Sequence, residues 1–161
     1  MIQKHKRYGL IAAIILVVLL LFRLMYDPSP PNKGELLLDA SIADDLKKVQ
    51  QLINEGVDPN YQGSAYGSAL LYAAGNGHTD IVRFLLEKGA SIDIKNGFGS
   101  TPLMAAAMRG HDEAAQLLLE KGADLSPRDA TGETAYQIAL RYSHLTTAAL
   151  IAKYCPNRKC E

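Results

Sequence analysis

Asn96-Gly97-Phe98-Gly99-Ser100-Thr101-Pro102-Leu103, continued by Met104-Ala105-Ala106-Ala107-Met108-Arg109-Gly110-His111, is the stretch that decides the fold of this 161-residue chain. Asn-Gly followed by a second Gly favours positive φ, so residues 96–99 read as a tight turn. Thr101 is then placed to cap a helix by accepting a backbone N–H, and Pro102 suits the first helical position, where an amide hydrogen is not needed. Ala105 to Ala107 keep that helix thin, and Gly110-His111 punctuate its end. Leu117, Leu118 and Leu119 carry a second helix until Gly122, a residue able to adopt the left-handed conformation just past a helix end. The unit is a turn followed by two short helices.

The same unit recurs. Laying Ser68–Gly97 over Thr101–Ala130 gives eleven identities in thirty positions without a gap, among them Gly77/Gly110, His78/His111 and Gly89/Gly122. A fixed period of that length, the step from Gly77 to Gly110, marks a supersecondary unit that buries its apolar face only by stacking on its neighbours. A first unit keeps Leu36-Leu37, Ala40, Leu46, Val49, Leu52-Ile53 and Gly56, with Asp44-Asp45 where later units place Gly-His. A fourth keeps Gly132-x-Thr134-Ala135 and Ala139-Leu140, with Ser143 in place of the glycine and Cys155-Pro156 in place of Gly-Ala. Terminal units of a stack lack one neighbour, so departures at both ends are expected.

This unit resembles the ankyrin repeat, whose pattern Asp-x-x-Gly-x-Thr-Pro-Leu-His-x-Ala-Ala-x-x-Gly-His is nearly quoted by Asn96 to His111. The resemblance runs from residue 34 to about 154. Met104, Leu71 and Gln137 depart from it, standing where the family usually has the histidine of Thr-Pro-Leu-His. It implies an all-α solenoid of about four helix-turn-helix repeats, at about 34–62, 66–95, 99–128 and 132–154, with antiparallel helix pairs joined by hairpin-like loops. It also implies a recognition surface on the loop tips and the exposed side of the first helices. By register that surface includes Ser64, Ala65, Gly67, Gly75, Gly97 and Thr131, and a candidate partner-binding set of Tyr72, Asn76, Phe98, Ser100, Met108, Arg109, Glu133, Arg141 and Tyr142. Phe98, Met108, Arg109, Tyr142 and Tyr72 supply the aromatic, arginine and methionine content that interface cores favour. A plainer alternative has Phe98 and Tyr72 packing against neighbouring loops. The expected partner is another protein, and the role either a scaffold or stabiliser of an enzyme or an immunity-type inhibitor of a toxin.

Residues 1–33 differ in kind. Lys4, Lys6 and Arg7 precede an uninterrupted apolar run from Leu10 to Phe22, and no acid appears before Asp27. The nineteen residues from Tyr8 to Tyr26 would as a helix span roughly 28 Å, close to the hydrocarbon thickness of a bilayer. The residues after Phe22 offer no small-residue cleavage site, so the expectation is an uncleaved signal-anchor helix over 8–26 rather than a signal peptide. The excess of basic residues over 1–7 predicts a cytoplasmic amino terminus. The Pro-rich stretch 27–33 then reads as a spacer, and the repeat domain, 34–161, is expected across the membrane, as in a bacterial periplasm.

Charge and motifs limit the chemistry. Residues 34–161 carry 12 basic and 16 acidic side chains, a difference of −4, which disfavours a nucleic-acid partner. His78, His111 and His144 recur with the period and so occupy equivalent places in successive units, whereas zinc ligands must converge within about 2.1 Å of one ion. The acids Glu87 and Glu120 also recur with the period, beside Lys88 and Lys121, and read as a solvated face. No Gly-x-x-x-x-Gly-Lys, Gly-x-Ser-x-Gly or His-Glu-x-x-His occurs. The sequence therefore points away from an enzyme and from a cofactor, metal or small-molecule substrate. Cys155 and Cys160 enclose Pro-Asn-Arg-Lys; the expectation is a structural disulfide, with redox chemistry the alternative, although the spacing is not Cys-x-x-Cys.

Overall fold

The computed structural model describes residues 32–63 and 67–155. The predicted membrane helix and spacer up to residue 31, Ser64 and Ala65, and Cys160 lie outside the described residues. Among the described residues no helix is long and apolar enough to cross a membrane.

Four helix pairs follow one another: α1 (Lys33–Ile42) with α2 (Leu46–Asn54), α3 (Ala69–Asn76) with α4 (Thr79–Glu87), α5 (Pro102–Arg109) with α6 (Asp112–Glu120), and α7 (Ala135–Arg141) with α8 (Leu145–Tyr154). No strand occurs among the described residues, only an isolated bridge between Gln62 and Ser68. The first helices pack in one row, α1 on α3 on α5 on α7, and the second helices in another, α2 on α4 on α6 on α8. This is the all-α repeat architecture that the resemblance implies, and α1 starts at Lys33, inside the predicted spacer.

The rows meet along a core that repeats with the period of the sequence. Leu37, Leu70 and Leu103 are fully buried from the first helices, and Leu52, Leu85, Leu118 and Ile151 from the second. Ala40, Ala73, Ala106 and Ala139 share one register and let the helices approach closely. The loops carry the period too: Asn60 Oδ1 accepts from Ser91 N (2.7 Å), and Asp93 Oδ1, at the equivalent place in the next unit, accepts from Asp124 N (3.0 Å).

Each first helix after α1 starts as the sequence reading requires. Ser68, Thr101 and Thr134 are buried caps whose hydroxyls accept from the amides of Leu71, Met104 and Gln137. The residues that replace the family histidine serve this cap where they are polar enough. Gln137 Oε1 accepts from Thr134 N at 3.0 Å, closing a capping box, and Met104 Sδ lies 3.5 Å from Thr101 N. The turn before α5 differs from the sequence reading. Gly99 is left-handed at φ 73°, while Gly97 is not among the residues with positive φ. Asn96 explains this, because its Oδ1 accepts from both Phe98 N and Ser100 N (2.9 Å each) and so winds the chain around its own side chain.

The link between the two helices of every unit is left-handed: Asp44, Gly77, Gly110 and Ser143, equivalent positions of the four units, have φ of 59°, 78°, 71° and 62°. Why glycine stands at only two of the four follows from packing. A Cβ on Gly77 would lie 2.7 Å from Nδ1 of His111, and one on Gly110 2.5 Å from Nδ1 of His144. The histidine of the following unit thus covers both positions. Among the described residues no further unit stands over Ser143. At Asp44 the following histidine is paired instead, with His78 Nδ1 3.3 Å from Asp44 Oδ1. The terminal departures from the repeat are therefore accommodated by geometry.

Candidate functional site

The ends of the first helices present carbonyl groups without a partner inside the helix. Three of these, on Ile42, Gly75 and Met108, share one register. His78 Nε2 donates to Ile42 O (3.0 Å) and His144 Nε2 to Met108 O (3.2 Å), so each histidine braces its own unit against the one before it. This is the structural role expected from their spacing. The middle carbonyl is treated differently: Arg109 Nη1 donates to Gly75 O (3.0 Å) and also to Asn76 Oδ1.

Beside this brace the row of first helices opens into a groove of about 320 Å³. Ile42, Leu71, Tyr72, Ala105 and Met108 give it an apolar lining, while Gly75, Asn76 and Arg109 form one wall and Asn96 and Ser100 approach from the loop before α5. The small residues at 75 and 105 make the groove, since a Cβ on Gly75 would already lie 3.3 Å from Cβ of Ala105. The groove draws on the first three units.

Five of the nine sequence candidates line it: Tyr72, Asn76, Ser100, Met108 and Arg109. Phe98 stands on the loop tip of the same unit and is 67% exposed. The plainer alternative of loop packing therefore describes Tyr72, whose half-buried ring lies against Gly67, where a Cβ would meet it at 2.5 Å, and not Phe98. Glu133, Arg141 and Tyr142 form a separate cluster on the fourth unit. There Arg141 Nη2 pairs with Glu133 Oε2 at 3.0 Å and its guanidinium lies 5.0 Å from the Tyr142 ring centre. Under this cluster the loop is ordered by Asp129. Burial pushes its carboxyl pKa up, but hydrogen bonds from the Thr131 hydroxyl and the Glu133 and Thr131 amides prevail and hold it below the usual value.

Sequence reasoning missed Ile42, Leu71, Asn96 and Ala105. Ile42 was within reach, because it is exposed and stands one period before Gly75 and two before Met108. Asn96 was read only as a turn residue. Its further task, fixing the amide of Phe98, depends on a side-chain bond that spacing does not reveal. Cys155 is buried at the end of α8, and no cysteine among the described residues is free.

A stack of helix pairs with an open, largely apolar groove along one row is a helical repeat scaffold of the kind that binds other proteins. The family described as Ankyrin repeats (3 copies) matches residues 16–96, 36–129 and 89–160, and the chain belongs to that family. Similar curated proteins include human Mitochondrial disaggregase, 36% identical over 73 residues, covering 45% of this chain and 10% of that protein. Human Ankyrin repeat domain-containing protein 39 is 44% identical over 54 residues, covering 34% of this chain and 30% of that protein. Cortactin-binding protein 2 of Rattus norvegicus is 43% identical over 75 residues, covering 44% of this chain and 4% of its own length. The chain thus spans less than a third of each of these relatives.

Proposed function

We propose that the chain is a membrane-tethered binding module that captures one partner protein through the groove of its first three repeats and the neighbouring Phe98. The carrying observation is Phe98, a large aromatic side chain held exposed on a loop that Asn96 fixes. An aromatic group already fixed in place loses little entropy on binding and is the usual anchor of an interface. The tether is supported by the apolar run Leu10–Phe22 and its basic flank, and the same basic excess favours an orientation with the repeats across the membrane from the amino terminus. A pairing of Cys155 with Cys160 fits an oxidising compartment.

Affinity capture with the full chain, followed by mass spectrometry, identifies the partner. Phe98→Ala is expected to weaken that capture about tenfold or more, with the unfolding midpoint unchanged, because Phe98 joins the stack through its backbone carbonyl, which accepts from Ala130 N (2.8 Å). Equal capture by the variant refutes the placement. Arg109→Ala is a poorer test, since it also strips the Gly75 carbonyl of its donor. For the tether, a reporter fused after Glu161 that is active only outside the cytoplasm is expected to be active; activity of a cytoplasm-only reporter at the same position rejects this orientation.

A further inference from the structure

Among the described residues that line the groove, Arg109 alone carries a charged side chain, and its guanidinium is only half used. Nη1 is committed to Gly75 O and Asn76 Oδ1. The ion pairs among the described residues join Lys33 to Glu55, His78 to Asp44 and Arg141 to Glu133, so no carboxylate there neutralises Arg109. The contrast with Arg141, which carries both a carboxylate and an aromatic ring, is sharp. An arginine held by two bonds across a repeat boundary has already lost most of its side-chain freedom. It presents the rest of its planar fork of donors with little further entropy to lose. Met108, Tyr72 and Leu71 line the same groove and give an apolar side chain its place next to that charge.

We propose, on the basis of the protein-binding reading above, that the groove takes a peptide segment in which an apolar side chain adjoins a carboxylate-bearing residue. The apolar side chain fills the space between Ile42, Leu71 and Met108, and the carboxylate accepts from the remaining donors of Arg109. Charge sets which residue lies at which end of the groove. Asp39, exposed on α1, is in register with Tyr72 and Ala105 and so stands on the same row, at the far end from Arg109. Two helix spacings separate α1 from α5, roughly 16–20 Å, or roughly five or six residues of extended peptide. A neutral or basic residue belongs at the Asp39 end and the acidic one at the Arg109 end.

The test is fluorescence anisotropy of labelled nine-residue peptide pools with the full chain, each pool carrying a fixed Leu next to Asp, Asn or Lys, in both orders, and randomised elsewhere. The Leu-Asp pool is expected to bind about tenfold more tightly than the Leu-Asn pool and to weaken as salt is raised, with the Leu-Lys pool weakest. Arg109→Gln, which keeps a donor for Gly75 O, is expected to shrink the preference below about twofold. Should Arg109→Gln unfold, Asp39→Lys serves instead, and is expected to weaken Leu-Asp peptides that carry a basic residue five positions from the Asp on the side of the Leu. Equal binding of the three pools, a preference that survives Arg109→Gln, or no binding of any pool overturns the proposal. The protein-binding reading would survive each of those results so long as partner capture still depends on Phe98; it falls when capture ignores Phe98, whatever the pools do.

Discussion

Gly110→Ala is expected to destabilise the repeat domain by about 2–3 kcal/mol, although it adds a single methyl group. The backbone at Gly110 is left-handed, a conformation that costs an L residue about 1–2 kcal/mol. The new Cβ would also sit 2.5 Å from Nδ1 and 2.8 Å from Cγ of His144, so the ring must move. Moving it breaks the bond from Nε2 to Met108 O and leaves that carbonyl at the end of α5 without its donor, for about 1 kcal/mol more. The same register gives the opposite sign one repeat later. Ser143 carries the left-handed strain with, among the described residues, no following histidine above it, so Ser143→Gly is expected to stabilise by a few tenths to about 1 kcal/mol. The gain is partial because glycine also enlarges the freedom of the unfolded chain. Urea unfolding of both variants, followed by far-ultraviolet circular dichroism, checks this, and midpoints that move in the same direction would reject the explanation by register.

How much of this was legible in the sequence depends on whether a residue acts within its own unit or across units. Thr101, Pro102, Gly110 and Gly122 act through local backbone chemistry, and their types alone place them. The buried leucines follow from the period. Asp44 and Ser143 look like decayed glycines, and only the position of the next histidine shows why they are tolerated. The histidines could be assigned to the repeat by spacing, but their partners, carbonyls 36 residues earlier, lie on another helix and leave no local trace. Arg109 was picked out for its residue type, yet its grip on Gly75 and Asn76 is a contact of the folded stack. The groove was half legible for the same reason. Register supplied the row of positions, whereas its opening depends on Gly75 and Ala105 being small on facing helices.

Leu118→Ala is expected to remove about 3–4 kcal/mol and with it the groove, whereas Leu52→Ala, the same deletion two units earlier, is expected to spare most of the binding. Both side chains are buried to 1% exposure or less and hold the same register. They differ in neighbours. Helix α6 packs between α4 and α8, while among the described residues α2 meets only α4 in its row. In a stack held by nearest-neighbour contacts, a cavity at α6 weakens two interfaces and separates the second unit from the fourth. A loss of this size is a large fraction of a stability of about 5–15 kcal/mol. The Arg109 bonds to Gly75 and Asn76 cross from the second unit to the third and depend on both being docked. A cavity under Leu52 instead frays the first unit, removing Ile42 from the groove and leaving that clamp in place. Amide hydrogen exchange resolves the two cases. Leu118→Ala should accelerate exchange throughout α3 to α8, and Leu52→Ala chiefly in α1 and α2. Exchange confined to α5 and α6 in the Leu118 variant would show that the repeats unfold independently, and the groove would then have to survive the loss of its neighbours.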